Sequence, residues 1–193
     1  MLDNLKKYHI ILASNSPRRR ELLAGIGIDF EVRVMPGIDE SYPDDIMTED
    51  IARHIAHTKA MAYSKEMASD EMIITADTVV IVDNEVLGKP HSLEEAQTML
   101  RKLSGRTHKV VTGVCITTKT KQRLFDVATD VTFKALTAEE ITYYTTKYKP
   151  LDKAGAYGIQ EWIGYIGVTG LSGSYFNVMG LPVQRIYNEL TTF

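Results

Sequence analysis

The stretch Leu12-Ala13-Ser14-Asn15-Ser16-Pro17-Arg18-Arg19-Arg20-Glu21 carries the chain from an apolar run into a basic helix. Upstream, His9 to Ala13 is short and β-branched, which predicts a strand. Downstream, Ser16 can cap a helix, and Pro17 suits the first helical position, where the N–H it lacks would have no intrahelical partner. Gly25 and Gly27 stop that helix after Ala24. A strand feeding directly into a capped helix leaves backbone N–H groups near Arg18 and Arg19 facing outward at the strand end. Because a helix N-terminus favours anions and guanidinium groups grip phosphate oxygens in pairs, the stretch reads as an anion site. On spacing alone it reads equally as a capped surface helix with solvated arginines.

The remainder of the chain supplies the α/β context. With 193 residues there is room for one sizeable core or for two lobes sharing a sheet. No repeat or linker divides the chain, so residues 1–193 are expected to form a single domain. Hydrophobic content of 44% and a net charge of −3 describe an ordinary soluble protein, without the basic excess that nucleic acid would require. Met1 to Lys7 lacks an apolar signal core, and no apolar run approaches the roughly 18 residues of a membrane span. A cytoplasmic location is therefore expected. The lone Cys115 excludes an internal disulfide and lies in a run that looks like buried strand.

Working outward, Phe30 to Val34 alternates like a strand, and Met35 to Met47 is a Pro- and Gly-containing acidic loop with Glu40 near its middle. A helix is predicted from Thr48 to about Met67, with Ile51, Ile55, Lys59 and Tyr63 in one row. A lysine flanked by apolar neighbours one turn away on each side either snorkels to solvent or projects into a cleft. Glu71 to Val82 is the most strand-like run, interrupted by Asp77, a charge that needs pairing, a metal or exposure at a strand end. After a turn at Asp83-Asn84-Glu85, the rigid bend Gly88-Lys89-Pro90 delivers a lysine before a helix from Ser92 to Leu103. It lacks the flanking residues of a Walker motif. Thr107 to Thr118 and Arg123 to Phe133 read as a hairpin, and Thr137-Ala138-Glu139-Glu140 is a capping box for a helix ending near Tyr148. Gly155 to Gly180 holds seven of the thirteen glycines among aromatics, which predicts a loop-rich binding wall, and Val183 to Leu190 a closing helix.

Basic groups together with a carboxylate pair are what polyphosphate chemistry requires: cations hold the oxygens, while acids bind a divalent ion or orient water. Arg18, Arg19, Lys59 and Lys89 supply the first set, Glu40 and Asp77 the second. Hard oxygen ligands favour Mg²⁺ or Mn²⁺ over zinc, and His54 and His57, three residues apart with no placed third ligand, fall short of a zinc site. The residues by themselves lead to a soluble α/β protein that handles phosphorylated small molecules.

Six blocks extend this. Leu12 to Arg19 with Ile38-Asp39-Glu40, the helical Lys59-Ala60, Ala76-Asp77-Thr78-Val79-Val80, Leu87-Gly88-Lys89-Pro90, Asp152 to Gln160, and Gly173 to Pro182 resemble, in order, the Maf family of nucleoside triphosphate pyrophosphatases. The resemblance implies a fold like that of the inosine triphosphate pyrophosphatases, an elongated curved mixed sheet with flanking helices and a central cleft between two lobes. It implies hydrolysis of a nucleoside triphosphate between the α- and β-phosphates, with a divalent cation, Mg²⁺ or Mn²⁺, held by Glu40 and Asp77. Asp77 would be the proton acceptor and Glu40 the second acid, while Lys59 and Lys89 would hold phosphates. Arg18 and Arg19 would hold the phosphate chain or shape the base pocket, with Ser14 counted among the substrate-binding positions. Arg18, Thr78 and Gln160 match the branch acting on dTTP and UTP, with modified pyrimidines as additional substrates, whereas the 7-methyl-GTP branch has Trp, Gln and Glu there. Gln160 can offer an acceptor to a pyrimidine N3–H and a donor to a ring carbonyl. The resemblance also implies a homodimer. It leaves open two other readings, a nucleotide-binding regulator of septum formation and a 7-methyl-GTP pyrophosphatase.

Overall fold

The computed structural model describes residues 2–193. The opening stretch forms as read. β1 (His9–Leu12) gives way to α1 (Pro17–Gly25), whose first turn is closed by Ser16 Oγ accepting from the Arg19 N–H at 3.4 Å. β2 (Glu31–Val32) is shorter than Phe30 to Val34. It pairs with β1 in parallel at two positions, and the ladder stops where the Arg33 carbonyl accepts instead from the Tyr63 hydroxyl. Thr48–Asp50 forms a 3-10 turn, so the next helix, α2 (Ile51–Ser64), starts later and ends sooner than expected, with Ile51, Ile55 and Tyr63 buried along its predicted row.

β3 (Glu71–Val82) pairs in parallel with β1, His9 opposite Glu71 through Leu12 opposite Ile74. Asp83 and Asn84, both at positive φ, turn it into the antiparallel β4 (Glu85–Leu87), a backbone pair that suits the twist of a tight hairpin. α3 (Leu93–Leu103) is capped by Ser92 and carries acids in its first turn and bases in its last. β5 (Thr107–Thr117) and β6 (Gln122–Phe133) follow, joined by a turn in which the Thr118 N–H donates to the Lys121 carbonyl at 2.8 Å. The capping box of Thr137 and Glu140 opens α4 (Ala138–Tyr148).

The Gly155–Gly180 region is more regular than a loop-rich wall. It contains α5 (Trp162–Gly167), β7 (Val168–Ser172) and α6 (Tyr175–Met179), before α7 (Val183–Thr191) closes the chain. β7 runs antiparallel to β6 with a shift of register between Thr132 and Phe133. As an outermost strand with mostly exposed side chains and a glycine at its middle, it has no apolar alternation to announce it.

Among the described residues the seven strands form one mixed sheet, in the order β2-β1-β3-β5-β6-β7 with β4 on β3, so the α/β class and mixed sheet hold. No helix among them is long and apolar enough to cross a membrane. The chain divides into two compact units. The first is Met1–Asp77, Thr112–Val127 and Gly180–Phe193; the second is Thr78–Val111 and Ala128–Met179. In the first, Ile11, Ala13, Tyr63, Met67 and Ile73 pack together. There Gly113 lets the backbone of α2 lie directly on β5, since a Cβ would fall 2.3 Å from the Ala52 carbonyl oxygen. Thr75 Oγ adds a 2.7 Å hydrogen bond to the Ala56 carbonyl, fixing α2 against the sheet. In the second unit, Leu100, Leu103, Phe133, Tyr144 and Ile163 are fully buried in one core.

Candidate functional site

In the first unit Ile51, Ile55 and Tyr63 put Lys59 on the inward row of α2, and with β3 beside it its ammonium reaches Asp77 Oδ1 at 2.9 Å and Glu40 Oε1 at 3.1 Å. Lys59 and Asp77 are only 13% and 16% exposed, while Glu40 is 51% exposed. The aspartate that interrupts β3 is thus paired, which offsets the cost of a charge in a strand. Glu40 reaches the pair from its loop. Tyr63 holds the root of that loop, donating to the Arg33 carbonyl at 2.9 Å and accepting from the Met35 N–H at 2.7 Å. Burial pushes the Tyr63 hydroxyl above its ordinary value, against the opposing Met35 hydrogen bond, so it remains a donor. One helix therefore aims the lysine and, one turn on, anchors the loop that brings the second acid.

Arg19 also faces this group. Its Nε donates to the Gly180 carbonyl at 2.8 Å and its Nη1 to the Ala76 carbonyl at 2.9 Å, immediately before Asp77. Burial draws its pKa down from the ordinary arginine value, and the field of Asp77 opposes that. Part of the Arg19 fork is thus spent on backbone beside the acid. Arg18 on the same turn is half-buried, and Ser14, buried at the end of β1, accepts from the Ser16 N–H at 3.2 Å.

No group of three or more His, Cys, Asp or Glu side chains gathers for a metal among the described residues. Glu40 and Asp77, converging on one ammonium, are a two-carboxylate donor set. That set suits Mg²⁺ or Mn²⁺, which take one or two carboxylates and complete their shell with substrate phosphates and water.

The second unit carries the remaining expected residues. Thr78 follows Asp77 on β3 and is half-buried. Lys89 is exposed on its bend, and the preceding Gly88 carbonyl accepts from the Gly155 N–H at 3.0 Å. Gln160 is half-buried, yet its Oε1 is buried and without a hydrogen-bond partner. A buried acceptor left unsatisfied is costly, and it marks a place where a ligand donor would be gained. Around Gln160 lie residues the sequence did not single out: Glu161, Lys153 and Tyr144. Lys153 was visible only as part of a motif, and Tyr144 sits on a different helix, where no local signal links it to Gln160.

Residues 9–193 match the family described as Maf-like protein. The chain is 63% identical to a protein of Phocaeicola vulgatus named dTTP/UTP pyrophosphatase, over 98% of both chains. It is 61% identical to a protein of the same name from Parabacteroides distasonis, over the full length of each. Among solved structures, the Ham1 protein of Staphylococcus aureus is similar with a TM-score of 0.49 and 16% identity, covering 65% of this chain and 71% of that one. Matched from β1 to its last residue and at this identity over whole chains, the chain belongs to the Maf family.

Proposed function

We propose that this chain is a nucleoside triphosphate pyrophosphatase that hydrolyses dTTP and UTP, and modified pyrimidine triphosphates, between the α- and β-phosphates. The products are the nucleoside monophosphate and pyrophosphate. The observation that carries the reading is the convergence of Glu40 and Asp77 on the Lys59 ammonium. The names of the full-length relatives support the substrate class. Asp77 takes the proton of the attacking water, and Glu40 is the second acid. These two carboxylates would hold Mg²⁺ or Mn²⁺, which supplies charge neutralisation at the phosphate oxygens. Lys59 offsets the charge of the acids so that an anionic substrate can approach them, and Lys89 and Arg18 hold phosphate oxygens. Ser14 and Arg19 shape the substrate site, with Arg19 steadying the backbone of Ala76 beside the acid. Gln160 reads the base through its free Oε1, which suits the N3–H of thymine and uracil, with Thr78 and Arg18 as further specificity positions. The same proposal includes a homodimer, for which the exposed Leu171, Tyr175 and Phe176 offer apolar surface.

The test is a comparison of kcat/KM on dTTP, UTP, CTP and 7-methyl-GTP with Mg²⁺ and with Mn²⁺. The two uracil-type substrates should lead, by roughly the tenfold to hundredfold that one or two mispaired polar groups produce. A preference for 7-methyl-GTP would overturn the substrate assignment.

A further inference from the structure

We infer that Glu161, clamped by Tyr144 and Lys153, is a positioning residue that fixes which end of the Gln160 amide faces the base, and so sets uracil over cytosine. The inference rests on the reading of Gln160 as the base-contacting residue.

The geometry starts at Gly158. Its N–H donates to the Tyr144 hydroxyl at 3.0 Å, and its carbonyl accepts from the Glu161 N–H at 3.0 Å, closing a tight turn that presents Gln160. Over the Gly158 Cα the space is already taken. A Cβ there would lie 2.9 Å from Glu161 Cδ, 3.1 Å from Glu161 Oε2 and 3.1 Å from Gln160 Nε2. The glutamate carboxylate and the amide nitrogen of Gln160 thus crowd the same spot, and only glycine leaves room for both.

The carboxylate itself is held from two sides. Tyr144 donates to Oε2, while Lys153 Nζ lies 3.1 Å from Oε1 and also pairs with Asp152 at 2.8 Å. Burial, reinforced by the bond to Glu161, pushes the Tyr144 hydroxyl far above its ordinary value, so it is a permanent donor. Lys153 is 9% exposed, and a lysine is rarely so buried unless its charge is matched. With a donor on each oxygen, the Glu161 carboxylate is held against rotation.

An amide has a donor end and an acceptor end of nearly the same shape, so packing alone does not choose between its two orientations. A fixed negative charge does. It attracts the NH₂ end of Gln160 and repels the carbonyl end, which leaves Oε1 as the acceptor presented to a ligand. Uracil and thymine present a donor at N3, flanked by carbonyl acceptors. Cytosine presents an acceptor at N3 beside an amino donor, and would be served by the opposite orientation. The lock on Glu161 is therefore a lock on base choice.

The experiment measures KM and kcat for UTP and CTP in wild type, Glu161→Gln, Tyr144→Phe and Gln160→Leu, each checked for its folded circular dichroism spectrum. In Glu161→Gln the UTP:CTP ratio of kcat/KM should fall at least about tenfold, through a higher KM for UTP and a lower KM for CTP, with kcat on UTP moving less than KM. Tyr144→Phe, which frees one oxygen of the carboxylate, should shift the ratio in the same direction by less, and it decides the matter if Glu161→Gln does not fold. An unchanged ratio in the folded lock variants overturns the inference. If Gln160→Leu collapses the ratio while those variants keep it, the lock fails and the base reading stands. If Gln160→Leu also keeps it, the base reading itself has failed.

Discussion

Lys59 is the residue on which the first unit's part in the proposed reaction turns. Its ammonium, largely withdrawn from solvent, sits within 3.1 Å of both acids, whereas a solvated lysine would contribute little to either. Removing it leaves two carboxylates facing each other without the cation that reconciles them. Lys59→Met is therefore expected to lower kcat/KM on dTTP on the order of 10²- to 10³-fold, the size of losing one preorganised electrostatic group, with the fold retained. Steady-state kinetics within threefold of wild type would contradict this role. At this scale the sequence was informative in kind but not in direction. The apolar row of Ile51, Ile55 and Tyr63 placed Lys59 on an inward face, but only the approach of β3 decided that it meets Asp77 and not water. Arg19 illustrates the opposite case. Its position at the helix start was legible, yet its hydrogen bonds to Ala76 and Gly180 depend on residues 57 and 161 positions away.

Among the elements, those with strong periodicity or caps were legible: α1 with its Ser16 cap, α3 after Ser92, α4 with its capping box, and β3. β2 shrank because a strand at the sheet's edge is limited by its single partner, and β7 went unseen because its neighbour β6, not its own composition, makes it a strand. β5 carries a further titratable group, one not assigned to the proposed reaction. His108 is buried with its Nε2 2.6 Å from the Tyr157 hydroxyl and its ring edge-on to Phe133 and Tyr157. Burial pushes its pKa down from the ordinary 6.5 to about 4. The folded protein thus favours the neutral ring, and the unfolded chain binds the proton more readily. The stabilisation is whole above pH 6.5 and drains away as the pH falls towards 4, about 3 kcal/mol in all. Urea unfolding at pH 7 and pH 4.5 should show His108→Gln losing less stability across that interval than wild type. Parallel losses would show that His108 does not titrate in this way.

For the whole molecule, totals bounded the class and little more. A net charge of −3 on 193 residues gave no hint of an anionic substrate, because the positive groups that matter are local. Two lobes were an expectation of the length and of the resemblance, but the boundary between the two compact units was hidden, since each is assembled from separated segments and no linker marks the change; Asp77 ends one and Thr78 begins the other. What was legible at this scale was the order of six motif blocks, whose acids, lysines and arginines make sense only as a set. In the proposed reaction this set breaks the bond between the α- and β-phosphates, with Asp77 as proton acceptor. The most direct test of this is the product analysis of dTTP incubated with Mg²⁺ or Mn²⁺ and either the wild-type protein or folded Asp77→Asn. Wild type should release dTMP and pyrophosphate, and Asp77→Asn should release them at least about 10²-fold more slowly. Release of dTDP and orthophosphate, or undiminished turnover by Asp77→Asn, would contradict it.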